Sequence, residues 1–318
     1  KTQASYFSCV VFLSIVINHL FDSNPYLFVW NRFLDTMIGI AIGITINDIR
    51  ICINPDRETL FVSGLDDTLL NRDEVLSAFS KVELNRMIDS GLKFTVSTIR
   101  TPASLIEPMR DIRLNLPVIA MDGSVLFDVK KNSYIKIQSI KKELSGLLMN
   151  EIASSGLCWY GNVVIDDVLI IYYGDFKDKV NTDLVNNLKI SPYRNYINRP
   201  LPEDEDVVYF MLLDKTERIA EFYEKLQKLS YASELRFVTY PSTDFEGYSY
   251  IKIYDKDADK ENMLQYLKEQ YSFKKSVTFG TIRDQYDIEI EKDDANEVVR
   301  VVRSLYEPFL FRMNQQKR

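Results

Sequence analysis

Several short stretches of this chain carry side chains that could do chemistry on an anion. Residues 61–70, FVSGLDDTLL, run from an apolar strand into Asp66, Asp67 and Thr68. The segment VSTIRTPAS ends another apolar run with the hydroxyl of Thr98, two residues before Arg100. Lys260 opens a helical pattern in KDADKENMLQYL, and FGTIRDQYD follows a third apolar run with Gly280, Asp284 and Gln285. A hydroxyl can donate to a phosphate oxygen, a lysine charge can hold an anion, and carboxylates suit a hard cation such as Mg²⁺. Gly64, at the end of the first apolar run, can neither attack nor coordinate. Taken singly, Thr98 and Lys260 equal an ordinary strand-end hydroxyl and a surface lysine.

The elements that must position these residues follow from the pattern. From about Thr59 apolar strand runs alternate with helical periodicity, the signature of an α/β domain with a parallel sheet. A strand over 60–65 leads to a helix with Ser80 and Glu83 as a capping box, an apolar face of Leu84, Met87 and Ile88, and a stop at Gly91. Strands over 94–97 and 118–120 come next. Residues 125–253 are richer in β-branched and aromatic residues, with strands expected at 134–137, 163–165, 168–173, 207–213, 235–240 and 248–253 and helices at 141–154 and 216–229. Helix–strand alternation then resumes, with a helix over 260–271, a strand over 277–279 and a last helix over 295–305 carrying Val298, Val299, Val302 and Leu305 on one side.

This order of motifs resembles the haloacid dehalogenase (HAD) superfamily of the Cof type, a Rossmann-like parallel-sheet core with a large inserted α+β cap. The family's first motif is Asp-x-Asp-Gly-Thr followed by Leu-Leu. On the shared Thr68-Leu69-Leu70 end, Asp66 sits on the second aspartate, Asp67 on the glycine and Gly64 on the nucleophilic first aspartate. Thr98 and Arg100 fall on the second motif, with Ile99 where glycine is usual. Asp122, Gly123 and Ser124 look like the Asn-Gly-Ala that enters the cap, and Lys260 matches the third-motif lysine. The fourth motif, Gly-Asp-Gly-x-Asn-Asp, reads here as Gly280, Thr281, Ile282, Asp284 and Gln285. The resemblance thus implies a phosphatase fold that lacks its nucleophile and its acidic metal ligands, a pseudo-phosphatase without a cofactor. Its vestigial pocket would be Asp66, Thr68, Thr98 and Lys260. The ligand-binding set would be Asp66, Asp67, Thr98, Arg100 and Lys260, for a small phosphorylated ligand. The alternative is a Mg²⁺-dependent phosphatase of small phosphorylated metabolites. There a slipped register would make Asp66 the nucleophile, with Asp66, Asp67 and Asp284 as metal ligands.

The first 48 residues differ in character. Residues 5–21, SYFSCVVFLSIVINHLF, hold no charged residue apart from the neutral His19, and 26–47 are broken only by Arg32 and Asp35, which face one side of a helix. With a turn at 22–25 and the small pair Gly39 and Gly43, they predict a transmembrane helical hairpin, a linker over 49–58 and a cytoplasmic HAD-like unit of 59–124, a cap of 125–253 and a second core part of 254–318. Residues 31–47 are similar to the last membrane helix of aromatic-acid exporter or fusaric-acid-resistance-like proteins. The expected setting is therefore a cell-membrane transport protein, with lipid and further transmembrane helices as partners and the HAD-like part as a sensing, regulatory or accessory domain. The net charge of −7 over 318 residues argues against nucleic acid. Three scattered cysteines and one histidine exclude a zinc or disulfide framework. Arg194 and Arg199 could meet an anion, although a solvated basic loop explains them as well.

Overall fold

The computed structural model describes residues 25–53, 55–71, 73–176, 178–189, 195–282, 285–291, 294 and 296–313. Two compact units are resolved, one of residues 1–54 and 308–318, the other Pro55–Glu307. In the first unit, helix α1 (Pro25–Asp48) is followed by strand β1 (Ile49–Ile53). The first arm of the expected hairpin, residues 5–21, lies outside the described residues. The second arm is α1, but among the described residues no helix is long and apolar enough to cross a membrane. Asn31, Arg32, Asp35, Thr36 and Thr45 dilute its apolar run, so the transmembrane hairpin is not supported. Residues 49–53, expected as linker, instead pair antiparallel with β15 (Phe309–Met313), Ile51 opposite Phe311.

The second unit holds the two sheets. Strands β2 (Thr59–Gly64), β3 (Lys93–Ser97) and β4 (Val118–Ala120) are parallel and neighbouring, and β13 (Lys275–Gly280) and β14 (Ile288–Glu289) extend them on the far side of β2. Alternation along these strands divides the side chains between two layers. Phe61, Phe94 and Phe279 pack with the apolar faces of α2 (Ala78–Asp89), α3 (Pro102–Met109) and α8 (Glu297–Tyr306). Leu60, Val62 and Ile119 pack against Met263 and Leu267 of α7 (Lys260–Gln270). The helix boundaries depart from expectation at two points. The N-cap of α2 is Ser77, which accepts from the Ser80 amide, while Ser80 is buried and its hydroxyl donates to Asn296. Leu305 on α8 is exposed, and Tyr306 takes the buried place beside Val302.

The antiparallel hairpin β5 (Val125–Asp128) and β6 (Ser133–Ile137) completes the core sheet rather than starting the cap, because β5 pairs with β4 from Val118 to Ala120. The inserted sheet has the order β11-β12-β10-β7-β8-β9, built from β7 (Trp159–Ile165), β8 (Val168–Tyr173), β9 (Asn195–Asn198), β10 (Val207–Lys215), β11 (Leu235–Pro241) and β12 (Tyr248–Asp255). One of its faces is covered by α4 (Lys142–Ser155) and α6 (Thr216–Gln227), where Leu148, Ile152, Phe222 and Leu226 meet Phe210, Leu212, Ile251 and Ile253. A further helix, α5 (Lys179–Leu188), falls between β8 and β9. The other face, with Tyr160, Tyr209 and Tyr254, joins the apolar cluster of the core. The α/β core with an inserted cap is therefore as expected.

Candidate active site of haloacid dehalogenase type

The parallel strands β2, β3 and β4 end side by side, and their carboxyl ends carry the candidate residues, as open α/β sheets require. Thr98 follows β3, and its amide donates to Ile119 while its carbonyl accepts from Asp122, so the end of β3 is tied to β4 and the turn after it. The Thr98 hydroxyl donates to Asp66 (3.1 Å), and Arg100 Nε donates to the other Asp66 oxygen (2.6 Å). Arg100 also pairs with Glu74 at 2.9 Å. Burial opposes the Arg100 charge, but the Asp66 and Glu74 carboxylates outweigh it and hold the guanidinium pKa above its ordinary value. Asp66, Thr98 and Arg100 thus come together as the motifs imply. Asp67 is exposed, with φ of 56°.

Gly64 ends β2, and the space its missing side chain would enter is taken. A Cβ built there meets Thr68 Oγ1 at 2.8 Å. Thr68 is buried, and its hydroxyl donates to the Asp66 carbonyl at 3.1 Å. At the fourth motif the retained glycine also faces an occupied space. A Cβ on Gly280 would fall 2.1 Å from the ring of Tyr286, which packs on that backbone.

Lys260 is the first residue of α7, behind the N-cap Asp259. Its amine lies 3.5 Å from Asp122, not on Asp66. Gly123 brings the two together: at φ of +91° it lies so close that a Cβ would meet the carbonyl carbon of Asp259 at 2.0 Å. Only glycine fits this contact. Asp122 further accepts from Arg236 of β11 at 2.8 Å. Gly64, Ser97, Asp122, Arg236, Lys260 and Tyr286 border one cavity of about 1020 Å³, which Gln285 also reaches.

Residues 61–281 match the family described as haloacid dehalogenase-like hydrolase. The chain belongs to this family. It is 23% identical over 217 residues to 5-amino-6-(5-phospho-D-ribitylamino)uracil phosphatase YwtE of Bacillus subtilis strain 168, covering 60% of this chain and 74% of that protein. Among solved structures it is similar to TM0651 of Thermotoga maritima, with a TM-score of 0.62 and 20% identity over 79% of this chain and 98% of that one. It also resembles BT1666 of Bacteroides thetaiotaomicron, from a study of phosphatases of the HAD superfamily, with a TM-score of 0.54 and 13% identity over 74% of this chain and 82% of that one.

A HAD hydrolase works with Mg²⁺, and the described donors do not fit that ion. Among the described residues no group of three or more Asp, Glu, His or Cys side chains is placed to hold a metal. Gly64 and Thr281 bring no carboxylate, Gln285 is an amide, and Asp66 is engaged by Arg100. Asp284, named for the metal in the slipped register, lies outside the described residues, as does Arg194. Arg199 lies away from this site, at a separate cavity on the inserted domain.

Sequence reasoning missed Arg236, Tyr286, Glu74 and Lys252. Lys252 is buried on β12, and burial pushes its ammonium down to about 8, with Asp122 opposing. The signal was present in YSYIKIYD, where period two places a lone cation between Tyr250 and Tyr254 on one face.

Proposed function

We propose that this HAD-type pocket recognises a small phosphorylated metabolite without hydrolysing it. The observation that carries the reading is Gly64, a residue with no nucleophile whose side-chain space the Thr68 hydroxyl occupies. Loss of a covalent nucleophile removes several orders of magnitude of rate. Lys260 and Arg236 leave cations at the cavity for an anion, while the Thr98 hydroxyl and Arg100 are held by Asp66. The domain would then act as a sensing, regulatory or accessory part of a larger assembly.

The second reading is a Mg²⁺-dependent phosphatase of small phosphorylated metabolites, and the comparisons back it better than the regulatory role. The Bacillus relative is by name a phosphatase, and the family is one of hydrolases. In that case Asp66, already engaged by Thr98 and Arg100, would be the attacking carboxylate. One experiment separates the two. The native chain and Asp66→Asn are assayed for phosphate release from phosphorylated sugars and nucleotides with Mg²⁺, and for binding of inorganic phosphate. Binding without turnover is expected. Turnover by the native chain that disappears in Asp66→Asn would establish the phosphatase.

Membrane attachment belongs to the same proposal. Its support is the uncharged run 5–21 and the exposed apolar side chains of α1, among them Leu27, Trp30, Phe33 and Ile38. The polar residues of α1 weigh against it. Recovery of the chain in membranes that only detergent dissolves would bear it out, with the HAD-type unit on the cytoplasmic side.

A further inference from the structure

Strand β12 places Tyr248, Tyr250, Lys252 and Tyr254 on the face of the inserted sheet that joins the core cluster. Lys252 is only 9% exposed. Its amine lies 5.7 Å from the centre of the Tyr209 ring and 5.5 Å from that of Tyr240, and among the described residues it has no hydrogen bond or ion pair. Cation–π attraction at a desolvated site is smaller than the cost of burying an ion. The rings therefore do not offset the burial.

One carboxylate faces three cations here. Asp122 accepts from Arg236 at 2.8 Å, lies 3.5 Å from Lys260, and is the charge that Lys252 feels. Of the neighbouring acids, Glu261 is exposed and borders the same cavity, and three others are occupied elsewhere. Asp259 caps α7, Asp255 accepts from Gln138 and from the Asp257 amide, and Asp287 accepts from the amide and hydroxyl of Thr278. Arg236 is further fixed by the Ala258 carbonyl and by the Tyr254 ring, 4.4 Å from its guanidinium carbon. Its fork is thus held at the cavity wall. Lys252 is on the adjoining strand, opposite Val238 and on the same face of the sheet.

We propose that Lys252 and Arg236 form a second anion subsite, so that the ligand carries an acidic group in addition to the one Lys260 faces. This rests on the pocket's being one for a phosphorylated metabolite. The added group is a carboxylate or a further phosphate, and its charge is the counter-ion that Lys252 lacks in the protein.

The test is calorimetric titration of the native chain with inorganic phosphate, pyrophosphate and 3-phosphoglycerate at neutral pH. A probe with two acidic groups should bind roughly tenfold tighter than phosphate. Preference for pyrophosphate identifies a second phosphate, and preference for 3-phosphoglycerate a carboxylate. Lys252→Met should erase the preference and leave phosphate affinity as it was, while Lys252→Arg should keep it. Equal loss in both variants would assign Lys252 to the fold and overturn the proposal, as would a preference that survives Lys252→Met. Native selectivity is measured before any variant, so a variant that fails to fold does not remove the test. A native chain that binds phosphate without preferring either two-group probe overturns the subsite and leaves the phosphate reading standing. One that binds none of the three ends both.

Discussion

Lys252 shows how a single residue can set the response of the whole fold to pH. Its ammonium is held at about 8 in the fold, against an ordinary value of 10.5. Between these values the unfolded chain binds more protons, so this residue's contribution to stability improves as pH rises through that window. Below about 8 both states are protonated and the full penalty applies. Replacing the charge in Lys252→Met should therefore raise stability near pH 7 by up to roughly 3 kcal/mol, and the advantage should shrink towards pH 10.5. Urea denaturation of both proteins at a series of pH values checks this. A constant difference across the window would mean that the amine is not desolvated. Asp66, unlike Lys252, is fully partnered, with Thr98 donating to one carboxylate oxygen and Arg100 to the other.

At the scale of elements, the site depends on how the β4–β5 turn meets the start of α7. The Met121–Gly123 turn holds Asp122 at φ of 56° and Gly123 at +91°, and the latter allows the close contact with Asp259. Gly123→Ala would place a methyl against backbone that cannot yield. It should cost about 3 kcal/mol or more and detach Lys260 from Asp122, seen as a lower melting temperature together with weaker phosphate binding. Gly64→Ala tests a milder contact, since the obstacle is the Thr68 hydroxyl on a side chain that can turn. A loss within about 1.5 kcal/mol is expected, read by the same thermal melts. A larger loss would show that Thr68 cannot rotate out of the space.

For the molecule as a whole, the strands and helices of residues 55–307 form one compact unit with a continuous core. A fragment of that span should fold cooperatively and bind inorganic phosphate as the full chain does. Circular dichroism melts and titration of the two proteins check it, and failure would place part of the site's support in the remaining residues. The β1–β15 pair, by contrast, joins residues 49–53 to 309–313 in the other unit.

Much of the core was legible in the sequence because its signals are local. The β-branched and aromatic runs that become β3, β4 and β8 announce themselves by composition, and the register of Thr68-Leu69-Leu70 places Gly64 where a nucleophile would stand. Thr98 and Lys260 were legible through their order along the chain. Tertiary structure decided what those residues touch. The 125–137 hairpin joined the core sheet because β4 offered an open edge, which no local pattern states. The partner of Lys260 became Asp122 because Gly123 draws α7 onto the turn. Arg236 entered the site from a strand more than a hundred residues beyond Asp122, and a sheet pairing that composition leaves open set Lys252 on the strand next to it. Residue type and order are written in the chain, whereas the neighbour of a buried charge depends on which distant segments close around it.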